Sequence, residues 1–361
     1  TPLYSSAASD VYKRQIFCFY ILSSVMSPAT SFMGTGGLPD TSNLIYPLVL
    51  FVIPLFSMFF MYVANLIRPG TLRGMREPYL AWAVPGGIFV ALFAATNFLP
   101  QLSFVNELVS TPLLLTAGLV ATCVPPALTY HRIARKNFSA EQAMPSFMRD
   151  VTEARRTGLS PEKSIVHAAG RRGYGPFTED LGRMTNQIEW GVSLRKIFSD
   201  LKALVKSWPV VVDFYILVET IEIGGGDANT LGVLAEYSER TQTVEKSQRD
   251  MLKPYIILPF VWTILMAFTV TFTIQTLAQI PTIALGAAST EEIIAKFTNT
   301  NIGIIEAGMV FHSWLSGFFI GKVSEGNFAS GFKYAAFLAI AAFATLMLSR
   351  GLVASFFGGL I

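Results

Sequence analysis

The chain has 361 residues, 52% of them hydrophobic and only 14% charged, with a formal net charge of +3. Soluble domains carry roughly 25% charged residues, so this composition, with a mean hydropathy of +0.48, excludes an ordinary water-soluble enzyme and implies a surface that largely faces lipid. The two cysteines, Cys18 and Cys123, lie in apolar runs, and the three histidines (His131, His167, His312) are scattered, so neither a disulfide framework nor a metal site is supported.

The first residues are set aside before any fold argument. Residues 5–15 read SSAASDVYKRQ, the translation of a transposase sequencing adaptor, and residues 1–4 fit the stretch upstream of it. Residues 1–15 are therefore treated as an artefact, and the genuine protein is expected to begin earlier. Residues 16–26 then read as the stump of a truncated span.

A helix needs about 20 apolar residues to cross the hydrocarbon core. Residues 44–67 and 79–99 satisfy this without a charge, and residues 111–130 follow, although Pro112, Pro125 and Pro126 are expected to bend that helix or cut it short. Further spans are predicted at 255–280, at 302–321 despite Glu306 and His312, and at 331–350. The expected fold class is an all-α membrane protein with a helical bundle at 131–253 inserted between transmembrane regions 16–130 and 254–361.

Lysine and arginine placement supplies an orientation. Arg68, Arg73 and Arg76 crowd the first link, so it should be cytoplasmic, and His131, Arg132, Arg135 and Lys136 follow the third span. Residues 26–43 and 100–110 carry no Lys or Arg, and residues 281–301, expected as an outside loop, carry only Lys296. Lys322 and Lys333 flank the next inside link. The C-terminus is then expected outside.

The insert is compositionally distinct: residues 130–253 hold 18 of the 27 Lys/Arg and 16 of the 24 Asp/Glu. A nearly balanced charge is not the basic stripe of a nucleic-acid-binding surface, so no nucleic acid partner is expected. Leu194, Ile197, Phe198, Leu201, Leu204 and Val205 recur at helical spacing, as do Phe177, Leu181, Met184 and Ile188. Ser160 before Pro161 reads as an N-cap. Gly224, Gly225 and Gly226 should end one helix as a structural turn, with Asp227 capping the next. These signals predict an antiparallel bundle of about six helices.

Residues 148–198 read MRDVTEARRTGLSPEKSIVHAAGRRGYGPFTEDLGRMTNQIEWGVSLRKIF, and residues 222–239 read EIGGGDANTLGVLAEYSE. These runs resemble the F domain of type II secretion and type IV pilus platform proteins, most of all the archaeal archaellum and pilus assembly membrane core proteins. The resemblance covers residues 146 to about 255. It implies a non-enzymatic platform in the cytoplasmic membrane, the F domain docking on a hexameric secretion ATPase and the membrane part handling pilin-like or archaellin-like subunits. It also implies a homodimer and, in archaeal members, a second F domain.

Several motifs carry both a functional and a plain reading. Residues 317–322 (GFFIGK) hint at a phosphate loop, but the glycine spacing is short and Val323 stands where Ser or Thr is needed. Lys322 is expected instead to snorkel from a helix end. No nucleotide, cofactor or metal site is expected, and no catalytic residue. Arg155 and Arg156 are candidates for an ATPase-docking surface, because Arg pairs bidentately with carboxylates, and Glu219 and Glu222 could add acidic contacts. The paired basic residues equally suit attraction to acidic membrane lipids. Glu306 and His312 are intramembrane polar candidates, but their six-residue spacing puts them on different helix faces. The rival reading of the whole chain is a transporter or channel with a regulatory cytoplasmic helical domain, although no inverted repeat with broken helices is visible.

Overall fold

The computed structural model describes the backbone of residues 51–67, 70, 72, 74–98, 110–284 and 288–358. The adaptor-like residues 1–15, the expected partial span at 16–26, and Arg68 and Arg73 lie outside them. The described chain is all-α: α1 (Ile53–Ile67), α2 (Glu77–Phe98), α3 (Thr111–Arg156), α4 (Pro161–Ala169), α5 (Thr178–Glu189), α6 (Leu194–Leu204), α7 (Trp208–Gly224), α8 (Ala228–Leu252), α9 (Pro254–Ala284), α10 (Ala288–Glu325) and α11 (Gly331–Gly358). Single 3-10 turns, Gly175–Phe177 and Phe328–Ser330, precede α5 and α11. Among the described residues, four stretches are long and apolar enough to cross a membrane: Glu77–Thr96, Thr111–Arg156, Ala228–Phe272 and Phe328–Leu352. The protein is therefore an all-α, multi-pass membrane protein.

α3 departs from expectation. It is one helix of 46 residues with Pro125, Pro126 and Pro145 inside it, roughly 69 Å long at 1.5 Å per residue. Neither Pro125 nor Pro126 cuts it, and the backbone continues unbroken across the boundary drawn at 130/131. A proline leaves the carbonyl four residues earlier without its helical donor. At Pro145 that carbonyl belongs to Glu141, and the Gln242 side-chain amide of α8 donates to it at 3.2 Å and to the Gln142 carbonyl at 3.1 Å. The neighbouring helix thus satisfies what the proline exposes. The outside loop expected at 281–301 is also corrected: α9 runs to Ala284 and α10 starts at Ala288, so most of that segment is helical. The span expected at 302–321 lies within α10.

The distal half of α3 packs with α4–α8 into the bundle. Its core holds Phe147, Met148, Val151, Ile165, Phe177, Leu181, Phe214, Leu217 and Leu231, all at most 2% exposed. Both apolar stripes read from the sequence face this core, except that Leu204 at the end of α6 is 43% exposed. The caps form as expected: Ser160 Oγ accepts from Lys163 N at 3.3 Å, and Asp227 accepts from Asn229 N at 3.1 Å.

One carboxyl is buried in this bundle without a cation beside it. Asp213 of α7 accepts from Ser238 Oγ at 2.6 Å, and burial pushes its pKa up to about 6 from the ordinary 3.8, the Ser238 hydrogen bond offsetting part of that. The folded state therefore holds this proton more tightly than the unfolded chain, and stability falls as pH rises from about 4 to about 6. Asp213→Asn is expected to flatten that slope. It should also raise stability at pH 7.5 by on the order of 2 kcal/mol, since each pKa unit is worth about 1.4 kcal/mol. Chemical denaturation of the full chain in detergent at pH 4.5, 6 and 7.5 checks both.

In the membrane part, α10 and α11 pack most closely. A Cβ on Gly317 would lie 2.2 Å from the Ala335 backbone, and one on Gly321 2.3 Å from Gly331 N. Ala335, Leu338, Ala339, Ala342 and Leu346 of α11 are fully buried. The GFFIG run that hinted at a phosphate loop is thus a small-xxx-small packing face. Trp314 Nε1 of α10 donates to Cys123 Sγ of α3 at 3.1 Å, which ties this pair to the long helix.

Candidate functional site

Two regions gather polar residues outside the apolar cores: a junction between the membrane helices and the bundle, and the bundle tip farthest from the membrane.

The junction forms where six segments meet. Leu72, in the link between α1 and α2, makes an isolated antiparallel bridge with Ser207 between α6 and α7, and its carbonyl accepts from Asn327 Nδ2 at 3.4 Å. Asn137 of α3 accepts through Oδ1 from the backbone N–H of Lys206 (2.7 Å) and of Ser207 (3.1 Å). Glu141, one turn further along α3, accepts from Ser207 Oγ at 2.8 Å and pairs with Arg249 of α8 at 2.9 Å. The Arg249 guanidinium also sits 4.3 Å over the Phe138 ring. Lys206 reaches Glu77, the first residue of α2. Beneath these contacts Leu72, Met75, Tyr130, Ala134 and Ala329 form a small buried cluster.

Glu325, the last residue of α10, is the hub on the membrane side. It accepts from Tyr130 Oη of α3 at 2.9 Å and from Tyr334 Oη of α11 at 3.2 Å, and pairs with Lys333. Lys322 does not snorkel outward as expected. It is 3% exposed, donates to the Gly326 carbonyl at 3.1 Å and lies 5.2 Å from the centre of the Phe328 ring. The α10–α11 turn folds back against the α1–α2 link closely enough that a Cβ on Gly70 would meet the Gly326 carbonyl at 2.9 Å. That proximity encloses the ammonium, which a sequence reading of one helix end does not reveal.

At the distal tip the candidates are brought near one another, but not as one open surface. Arg155 Nε donates to the Gly226 carbonyl at 2.8 Å, and Nη1 donates to the Leu159 carbonyl at 2.6 Å. It is a clamp on the glycine turn. Gly225 (φ +66°) and Gly226 (φ +64°) occupy the left-handed region, with Gly225 closing α7. A Cβ on Gly226 would press Ile221 Cγ1 at 3.1 Å and Pro161 at 3.4 Å. Gly224, Gly225 and Gly226 thus act as a corner held from outside by Arg155. Glu219 and Glu222 converge on Arg195 of α6, at 3.3 and 2.9 Å. Arg156 is exposed and makes no ion pair among the described residues. Trp190 (87% exposed) and Ile223 (83%) stand at the same end of the bundle.

Glu306 and His312 point to different partners. Glu306, 2% exposed, is bridged by the Arg350 guanidinium of α11, with Nε at 3.0 Å from Oε1. His312 Nδ1 lies 3.4 Å from Ser57 Oγ of α1. Arg350 was the missed partner, and the signal was present: a lone intramembrane cation implies an anion at matching depth.

Residues 147–274 match the family model described as type II secretion system (T2SS), protein F. The match runs from the distal half of α3 through the bundle into α9. The chain is thus a multi-pass membrane protein that carries a domain of the type II secretion system protein F family. It is also similar to an uncharacterised protein of Methanocaldococcus jannaschii, 22% identical over 195 residues, which are 54% of this chain and 31% of that protein. The chain therefore spans about a third of the length of the curated relative it matches. No solved structure matches the chain.

Proposed function

We propose that the chain is the membrane platform of a type II secretion or type IV pilus-like assembly machine, an archaellum or archaeal pilus included. In this reading it couples a hexameric cytoplasmic ATPase to the assembly of pilin-like subunits. The observation that carries the reading is α3, one uninterrupted helix shared by the membrane part and the bundle. A rigid helix transmits displacement along its length, and α8–α9 provides a second, parallel route. The platform has no catalytic residue of its own, and the work comes from its partner.

In the proposed orientation the bundle is cytoplasmic and the C-terminus outside, in a cell membrane. The junction supports this, since the α1–α2 link bearing Arg76 and the α10–α11 turn, flanked by Lys322 at the end of α10 and Lys333 at the start of α11, both pack on the bundle side of the spans. Arg156 is the better docking candidate, because Arg155 is committed to the glycine corner.

Co-purification of the full chain with its cognate ATPase tests the partner, and its absence would overturn the reading. A four-glycine insertion after Arg132 tests the coupling. The expected outcome is retained ATPase binding with loss of filament assembly, whereas normal assembly would count against transmission through α3. Arg156→Glu is expected to weaken ATPase binding while leaving the fold intact.

A further inference from the structure

The long helix α3 keeps one face that the other described helices leave exposed. Within the membrane Leu113, Val124 and Leu128 are 41%, 48% and 58% exposed, and Ala117 and Ala121 are exposed between them. These positions recur every three to four residues or two such steps, so they share one side of the helix. The same side continues beyond the membrane as His131, Arg132 and Arg135, all exposed. One stripe thus changes from apolar to basic within a single turn.

The basic end of this stripe differs from most of the bundle. Arg149, Arg171, Arg183, Arg195, Arg240 and Arg249 each hold a carboxylate. Among the described residues His131, Arg132 and Arg135 make no ion pair, and residues 111–140 contain no Asp or Glu. Lys136, the next residue, turns instead to Asp180 at 2.9 Å. α2 brings a further cation to the same level. It runs antiparallel to α3, with Phe89 against Gly118 and Glu77 reaching Lys206 beside Asn137. Arg76 precedes Phe89 by 13 residues (89 minus 76) and His131 follows Gly118 by 13 (131 minus 118), so the exposed Arg76 stands level with His131.

We propose that this face of α3 binds an acidic phospholipid, with its acyl chains on Val124 and Leu128 and its phosphate at Arg132 and Arg135. The depths agree. At 1.5 Å per residue Arg132 and Arg135 lie roughly 6 and 10 Å beyond Leu128, and a headgroup layer is about 5–7 Å thick. Helical side chains lean toward the helix N-terminus, which for α3 is the membrane side, so both guanidiniums reach back into that layer. Two arginines three residues apart present forked donors to one phosphate. Charge decides the occupant, because an apolar protein helix would cover Val124 and Leu128 but leave both guanidiniums without an anion. A topology signal needs basic residues only on the correct side of the membrane, whereas here they continue a lipid-facing stripe. The inference rests on the multi-pass membrane reading and not on ATPase coupling, so either can fail without the other.

A bimane dye attached at Leu128→Cys, with Cys18 and Cys123 replaced by alanine, reports which lipid occupies the face. The full chain is reconstituted in phosphatidylcholine vesicles that contain doxyl-labelled phosphatidylglycerol or doxyl-labelled phosphatidylcholine. Each cation near an acidic membrane surface strengthens attraction roughly five-fold, so the acidic lipid is expected to quench at a several-fold lower mole fraction. Arg132→Gln/Arg135→Gln should remove that preference. Lys163→Gln/Arg172→Gln, which removes the same charge away from the stripe, should keep it. Arg132→Lys/Arg135→Lys should keep most of it, which separates loss of charge from loss of folding. Equal quenching by the two lipids, or a preference that survives Arg132→Gln/Arg135→Gln, would overturn the inference. Loss of the preference on adding inorganic phosphate, but not chloride of equal ionic strength, would overturn it by showing a site for a free anion. Quenching by neither lipid would overturn it by showing that protein covers the face.

Discussion

Gly321→Val is expected to abolish assembly of the membrane part, as a loss of monodisperse protein in detergent and of the cooperative thermal transition. The space a side chain would need is filled by backbone, with Gly331 N at 2.3 Å and Gly331 Cα at 2.4 Å from the position of an added Cβ. Side chains can rotate away from an intruding methyl, whereas two helix backbones must move apart. Separation would also open the contacts of Phe332, Ala335 and Ala339, all at most 2% exposed. Overpacking ordinarily costs about 1–3 kcal/mol, and here the cost should reach or exceed the upper end. Without a hydrophobic drive between helices in lipid, close packing of small residues is what holds them. Gly351→Ala, on the same helix pair but with open space around the added Cβ, is the control and should be neutral.

The second large effect concerns Glu306 and Arg350. Arg350→Ala should destabilise the chain by about 3–5 kcal/mol, because it strands a carboxylate that is 2% exposed. Glu306→Ala should cost less, because the Arg350 side chain it leaves behind is 40% exposed. The double variant Glu306→Ala/Arg350→Ala should be more stable than Arg350→Ala alone, because the buried carboxylate is no longer left behind. A thermodynamic cycle measured by denaturant unfolding in mixed micelles reads the coupling directly, and additive losses would show that the pair does not act as a unit.

This pair and the Glu325–Lys333 pair lie at opposite ends of the α10–α11 contact. Glu306 precedes Glu325 by 19 residues (325 minus 306) and Arg350 follows Lys333 by 17 (350 minus 333), which at 1.5 Å per residue is roughly 28 and 26 Å. Those spacings approach the roughly 30 Å hydrocarbon thickness. The two ion pairs therefore fasten the helix pair near both membrane surfaces, with the Gly317/Gly321 contact between them.

Much of the bundle is legible in sequence because its signals are local. Ser160–Pro161, Asp227 and the triple glycine act through hydrogen bonds and dihedral preferences within a few residues, and the stripes around Leu181 and Leu201 follow helical geometry. Pro125 and Pro126 do not cut α3 short, and Pro145, further along it, shows how a helix carries a proline. A proline weakens a helix only to the extent that nothing else satisfies the freed carbonyl, and at Glu141 the donor is Gln242, 101 residues away. The site candidates divide in the same way. Arg155, Glu219 and Glu222 are charged residues near helix ends, which a sequence cannot distinguish from a free docking surface. The structure assigns Arg155 to the glycine corner and the two glutamates to Arg195, leaving Arg156 outward.

Composition and hydropathy by themselves determined that this is a helical membrane protein with a charged insert, because the transfer of some 20 apolar residues into lipid depends only on local composition. Motif order determined the resemblance to the type II secretion F domain, which the family match over 147–274 bears out. Tertiary structure alone decided that the membrane part and the bundle share one unbroken helix and meet at the Glu325 and Asn137–Glu141 junction. It also decided that Lys322 is enclosed rather than snorkelling, and that Glu306 pairs with Arg350. Each of these depends on which distant backbone or charge arrives alongside, and that is settled by helix packing rather than by neighbours in the chain.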